Sequence, residues 1–365
     1  MTYVYKYARS GLQVRAVCNP YYAKLIALKE PRIFLILRHR ANPIMRFAPV
    51  LLLALLFGAG FQTAASAAEV AVVLNSGENS VSLVDTKTFA ETGRFYVGKE
   101  PHHLMATPDD RLLIVANSAG NELVFLDPQS GVVKQRLNNI SDPYQIGFSP
   151  DKKWFVANSL RLDRVDIYNA ADFKIVKRIE LPSMPSHLAF NRESDLVFVT
   201  LQGSDEIVAI DLATQQVKWK LPVGKQPAGI WMTPDNKYLL VGIMGEDYVA
   251  VIDWSQAVVV KHIATGKGAH NFLPQGDGRH VFVSNRVANT VSVIDELTLR
   301  VDESFAVPGG PDCMELTKDG KELWVTSRWS GQVHVLDTQS KKILRTIAVG
   351  RSPHGIYFLT HASRM

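Results

Sequence analysis

From residue 69 onward the chain alternates between short apolar runs and polar turn clusters, and the spacing of its apolar positions is that of β-strands. One kind of run is rich in β-branched and aromatic residues: Leu-Leu-Ile-Val-Ala-Asn at 112 to 117, His-Val-Phe-Val-Ser-Asn at 280 to 285, Glu-Leu-Trp-Val-Thr-Ser at 322 to 327. A second alternates and ends on an acid, as in Thr-Val-Ser-Val-Ile-Asp at 290 to 295 and Gln-Val-His-Val-Leu-Asp at 332 to 337. A third ends in Val-Gly or similar, as in Ile-Ala-Val-Gly at 347 to 350, and a fourth follows a proline, as in His-Leu-Met-Ala-Thr at 103 to 107. Between them stand clusters such as Pro108-Asp109-Asp110 and Pro234-Asp235-Asn236, where proline presets φ and Asp or Asn tolerates tight-turn geometry. The pattern predicts units of four antiparallel strands.

The units repeat every 42 residues: Pro101, Pro143, Pro185, Pro227, Pro311 and Pro353 keep that step, with Ala269 in the gap. Asp85, Asp127, Asp211, Asp253, Asp295 and Asp337 keep the same step, with Asn169 in theirs. Seven such units account for essentially all of residues 68 to 365. Four short strands repeated seven times predict an all-β, seven-bladed propeller, whose radial closure leaves little sheet edge exposed. The C-terminal Ser-Pro-His-Gly-Ile-Tyr-Phe-Leu at 352 to 359 holds only a first strand, and residues 69 to 98 hold the other three. Together they predict one blade closed by both termini, here blade 1. Each periodic Asp is expected to accept turn N–H groups, and each periodic Pro to start a strand where a missing N–H costs no ladder bond.

Phe282-Val283-Ser284-Asn285, Trp324-Val325-Thr326-Ser327 and Phe155-Val156-Ala157-Asn158, followed by Val-x-Val-Ile-Asp and a closing Val-Gly-x-x-Pro, resemble the YVTN-repeat β-propellers and are similar to the exported YncE-like proteins. The resemblance covers residues 69 to 359, and the Gly-His and Trp-Asp marks of WD40 repeats are absent from their places. Similarity to the propellers of cytochrome cd1 and of quinoproteins is fainter: Ala209 to Trp219 echoes the quinoprotein repeat once, with Gln215 where its glycine belongs, and one blade does not make a quinone site.

The formal charge of +5 changes meaning once it is located. Residues 1 to 67 carry a net +8 and residues 68 to 365 a net −3, so the basic character belongs to the leader. Within it, Met45-Arg46, an apolar stretch from Phe47 to Phe61, and Ala65-Ser66-Ala67 form the n-region, h-region and cleavage site of a signal peptide at 45 to 67. About 20 apolar residues are needed to span a bilayer, so no stable membrane span is expected after cleavage. Residues 1 to 44 read as a mis-assigned extension before a true start at Met45, and the mature chain as a periplasmic or secreted monomer. It retains one cysteine, Cys313, which excludes an internal disulfide, a C-x-x-C-H haem attachment and a Cys-rich zinc site.

Fold demands are the same in every blade, so function is sought where the blades differ. The two positions after the periodic Pro vary most: in blades 2 to 7 and then 1, His102, Tyr144, Ser186, Ala228, His270, Asp312, His354, and then His103, Gln145, His187, Gly229, Asn271, Cys313, Gly355. Five of the nine histidines after the leader fall in these 14 positions. The loop joining second and third strands, expected on the same face, adds Arg286, Arg328 and Trp329, and the approach to the Pro adds Lys99, Lys225, Lys267 and Arg351. His102, His103, Tyr144, His187, His270, Arg286, Asp312, Arg328, Trp329 and His354 are therefore the candidate ligand-binding residues of a channel mouth.

Three readings compete. His102, His270, Asp312 and His354 suit a divalent transition metal. The same histidines with arginine suit an anionic small molecule. Alternatively, histidine after proline bonds neighbouring backbone and holds no ligand. Strand alternation places the first positions in phase with the apolar Leu104, Ile146, Leu188 and Ile230, which partly favours burial between blades, but alternation is unreliable at a strand's first residue and leaves their direction open. No Walker loop, Gly-x-Ser-x-Gly elbow, Rossmann fingerprint or His-Glu-x-x-His occurs. The expectation is an exported ring binding a small ligand or partner protein; the alternative is an enzyme or redox accessory using a metal or tetrapyrrole at the same mouth. Single-stranded nucleic acid, which YncE-like relatives suggest and Trp329 and Tyr144 could stack on, is disfavoured by the net −3.

Overall fold

A computed structural model describes residues 69 to 363; the extension at 1 to 44 and the signal peptide at 45 to 67 lie outside the described residues. Twenty-eight strands form seven four-stranded antiparallel sheets arranged as a propeller. In blade 1 the C-terminal strand Pro353–Phe358 is innermost and pairs with Val70–Asn75, followed by Ser80–Asp85 and Glu91–Tyr96. The other six blades each use four consecutive strands, as blade 2 does with Pro101–Ala106, Leu113–Asn117, Glu122–Leu126 and Val133–Asn138.

Burial follows distance from the axis and explains the run types. Second strands are covered on both faces by neighbouring blades, so Leu113–Asn117 and Leu196–Leu201 are buried at every residue and are written almost without polar positions. Fourth strands lie on the rim, and Val133–Asn138 and Ile175–Glu180 are largely exposed. The buried apolar side chains fall into seven clusters, each spanning two adjacent blades: Val72, Leu74 and Tyr357 of blade 1 pack on Leu113 and Val124 of blade 2, and Trp324 and Val335 of blade 7 pack on Val73 and Phe358 of blade 1. The core is thus a ring of interfaces, which leaves the axis for other residues.

The periodic acids act within their turns. Asp85 Oδ1 accepts from the Lys87 and Thr88 amides at 2.9 and 2.7 Å, and Asp295 Oδ1 from those of Leu297 and Thr298 at 2.8 and 3.1 Å. Asn169, in the gap of the series, accepts from Ala171 N at 2.9 Å, so a neutral carbonyl serves the same turn. The periodic prolines open the inner strands, and directly after each the pairing slips by one residue: Pro101 faces Asn117 while His103 faces Ala116, and the same shift recurs in all seven blades. This β-bulge sets two residues of the inner strand against one of its neighbour and interrupts the alternation of side chains there. It falls on the two positions that carry the histidines.

Candidate metal centre in the channel

Because the bulge breaks alternation, both residues after Pro101 reach the axis. The His102 and His103 rings lie 4.8 Å apart, and His354 of blade 1 stands 4.1 Å from the first and 4.7 Å from the second. Tyr144 of blade 3 packs on His102 at 3.9 Å, and His187 of blade 4 on His103 at 5.2 Å, with His270 of blade 6 a further 5.2 Å from His187. All five histidines are buried. The ring of blades can close this tightly because small residues fill other positions: a Cβ at Gly229 of blade 5 would fall 1.9 Å from the His270 carbonyl oxygen.

One end of this hub is closed by charge. The loops carrying Arg286 and Arg328 are tied to the segments before the inner strands by Arg286 N→Gly268 O and Arg328 N→Gly310 O, both 2.9 Å. From there Arg286 Nη2 donates to Asp312 Oδ2 at 2.7 Å and to His270 Nε2 at 2.9 Å, and Arg328 Nη1 donates to Asp312 Oδ2 at 3.4 Å. His270 Nδ1 lies 3.0 Å from Asp312 Oδ1, off the line of a good hydrogen bond. Asp312 is fully buried. Burial would raise its carboxyl, but Arg286 and then the neighbouring histidines overcome this and hold it well below the carboxylate range.

The histidines themselves are kept neutral. Desolvation pushes His103 down to about 3 and His270 to about 4, and it drives His102, His187 and His354 well below their ordinary value. Neutral imidazole is the form that ligates a metal. Among the described residues His102 Nδ1, His103 Nε2, His187 Nε2 and His354 Nε2 are buried without a hydrogen-bond partner, the last lying 3.7 Å from Asp312 Oδ2, although buried polar atoms are ordinarily paired. One ligand atom from each of His102, His103 and His354 lies within 4.8 Å of the other two, and a second overlapping group joins Asp312, Cys313 and His354. Three donors around a tetrahedral ion sit ~3.4 Å apart, so small side-chain rotations would bring the first group into range. In the second, Asp312 already carries two guanidinium groups.

Of the sequence-predicted residues, His102, His103, Tyr144, His187, His270, Arg286, Asp312, Arg328 and His354 come together. Trp329 does not: it is 59% exposed on its loop, its indole over Gly310. Two neighbours not singled out from sequence join the hub. Cys313 Sγ lies 3.7 Å from His354 Nδ1 and accepts from Asn271 Nδ2 at 2.9 Å. Both occupy the second position after the blade's periodic residue, the same register as His103 and His187.

The architecture and hub together define a propeller protein with a histidine-filled axis and a candidate metal centre. The chain belongs to the YncE-like β-propeller family, whose pattern matches residues 45 to 364. It is similar in fold to a functionally unknown protein from Desulfotomaculum acetoxidans DSM 771, at TM-score 0.69 and 17% identity over 80% of this chain and 99% of that one. It also resembles the dihydro-heme d1 dehydrogenase NirN in complex with DHE, at TM-score 0.61 and 16% identity over 80% and 75% of the two chains. Hydrazine synthase of Kuenenia stuttgartiensis matches at TM-score 0.59 and 18% identity over 74% and 96%. No curated protein matches the chain. Among the described residues no helix is long and apolar enough to cross a membrane.

Proposed function

We propose that the protein is a metal-dependent redox or cofactor-handling protein, with one transition-metal ion held in the channel by His102, His103 and His354. The observation that carries this reading is the set of buried imidazole nitrogens that converge within 4.8 Å and include atoms with no partner in the protein. His103 takes the place that His270 and Asp312 had in the metal set read from sequence, because Arg286 Nη2 engages both of those residues. The same engagement weakens the anion-binding reading, since Arg286 and Arg328 both turn to Asp312. Imidazole donors suit zinc, copper, iron and nickel, and a bound ion would supply Lewis-acid or one-electron chemistry. The chain's own part is to present neutral imidazoles and exclude water. The rings are in contact, 3.9 to 5.2 Å apart, which favours an ion over a planar tetrapyrrole among them. The fold likeness to a dihydro-heme d1 dehydrogenase and a hydrazine synthase is compatible with redox work on this scaffold.

Titration of the metal-free protein with Cu(II), Zn(II) and Co(II), followed by calorimetry and elemental analysis, tests the reading. The expected result is one ion per chain, with affinity falling at least 100-fold in a His102→Ala, His103→Ala, His354→Ala variant and changing little in His187→Ala. No stoichiometric ion in the parent, or an ion that survives the triple change in a folded protein, would sink it.

We further propose that the chain is exported after cleavage between Ala67 and Ala68, from a true start at Met45. Support comes from the charge step at residue 67 and from the family match, which begins at 45. N-terminal sequencing of the native protein is expected to begin at Ala68; a native chain starting before residue 45 would contradict it.

A further inference from the structure

Beneath the histidines, on the side of the hub away from Arg286 and Arg328, the channel holds a cavity of about 250 Å³. Its wall runs from the second residue after each periodic position, where His103, Asn271 and Cys313 stand, down to Trp231, Leu273 and Pro274 at the fourth and fifth. Apolar side chains contribute part of the wall: Leu104, Trp231, Leu273, Met314 and Ile356 come from five different blades. Two side-chain amides interrupt it beside His103. Gln145 Oε1 accepts from Leu188 N at 2.5 Å and Asn271 Nδ2 donates to Cys313 Sγ, while among the described residues the Gln145 N–H₂ and the Asn271 Oδ1 make no hydrogen bond. The cavity therefore offers one donor and one acceptor at its histidine end, with apolar side chains and Glu315 further along, a mixed lining able to orient a small molecule.

Its charge chemistry narrows the guest. No lysine or arginine is among the lining residues, so a carboxylate or phosphate would lose its water without gaining a cationic donor. The one acid in the wall, Glu315, is buried and already bound within the protein, its Oε1 accepting from the Leu316 amide at 3.1 Å, so an ammonium guest would have to compete for it. We propose that this cavity binds a small uncharged organic molecule of roughly ten non-hydrogen atoms, with a carbonyl, amide or hydroxyl head at Gln145 and Asn271 and an apolar body against Leu273 and Met314. The head then lies beside His103. Only this last point bears on the metal reading, because it would place the guest beside one of the proposed donors.

Calorimetric titration of the full chain with benzamide, benzoate and benzylamine, metal-free and with Co(II), is the test. Benzamide is expected to bind the metal-free protein, with benzoate and benzylamine at least tenfold weaker. Leu273→Trp, which fills the cavity, and Asn271→Leu, which removes the acceptor without adding bulk, are each expected to weaken benzamide at least tenfold. In the Co(II) sample benzamide is expected to shift the visible spectrum. Benzoate or benzylamine binding as tightly as benzamide, no benzamide binding at all, or undiminished binding in a folded Asn271→Leu variant overturns the proposal. Benzamide binding without Co(II) uptake would leave the cavity standing and remove the metal centre; uptake without benzamide binding does the reverse.

Discussion

At pH 5 the metal-free protein is expected to have lost most of the stability it has at pH 7.5. His102, His103, His187, His270 and His354 are buried neutral, with desolvation holding each below the ordinary 6.5. The unfolded chain takes up protons on these residues near 6.5, and the folded one does so only at lower pH. Their stabilising contribution is therefore complete above that value and is lost as pH falls through the window down to about 4 for His270 and about 3 for His103. Each such group adds a slope of up to ~1.4 kcal/mol per pH unit, and five of them exhaust a fold worth roughly 5–15 kcal/mol within about two units. Asp312 opposes the effect on His270, which is nonetheless held low by burial and Arg286. Glu296, pushed up to about 7 by burial, works in the other sense, one group against five. Urea unfolding from pH 7.5 to 5 measures the slope. A free energy at pH 5 within 1 kcal/mol of that at 7.5 would mean the imidazoles are hydrated or already charged. Zn(II), competing with protons for the same nitrogens, is expected to move the loss to lower pH.

Asp312→Ala is expected to cost about 3–5 kcal/mol at pH 7.5, because it leaves two guanidinium groups in the hub without their shared carboxylate. Arg286 is the more exacting partner, with only 15% of its side chain exposed and its Nε buried without a hydrogen bond. The double variant Asp312→Ala, Arg286→Met removes the charge the single change strands, so part of the loss should return, and the urea midpoints of the four proteins give the coupling. A single variant within 1 kcal/mol of the parent would show that water enters the hub and screens the arginines. Arg328, 24% exposed, is expected to matter less.

The fold was legible because its signal is redundant. Six prolines and six aspartates keep a 42-residue step, and at both gaps the substitute still fits: Ala269 starts its strand, and Asn169 caps its turn through a carbonyl oxygen. The hub was legible for a different reason: a fold constraint shared by seven blades does not call for five histidines in two registers. What pattern reading left open was direction. Period-two alternation assigns consecutive residues to opposite faces, and the bulge after each periodic position suspends that rule where His102 and His103 lie. Nothing in a single strand's composition announces a bulge. Loop position points to the arginines, but their shared target, Asp312, is reached by Arg286 across a blade interface and by Arg328 within its own blade. Trp329 shares that loop position and points elsewhere. Cys313 and Asn271 occupy the same register as His103, but a lone thiol and an amide there do not by themselves suggest chemistry.

The order of synthesis follows from the strand that closes blade 1. Pro353–Phe358 is the last of the ring's described strands in chain order, and until it is in place Val70–Asn75 has an unpaired inner edge and the axis lacks His354. Two of the three proposed donors, His102 and His103, are translated some 250 residues earlier and must wait. At the proposed site a chain lacking this strand has two of the three donors, so full-strength metal capture there would report that the circle has shut. Loading would then discriminate between finished and unfinished molecules, a form of quality control written into where the polypeptide happens to end its ring.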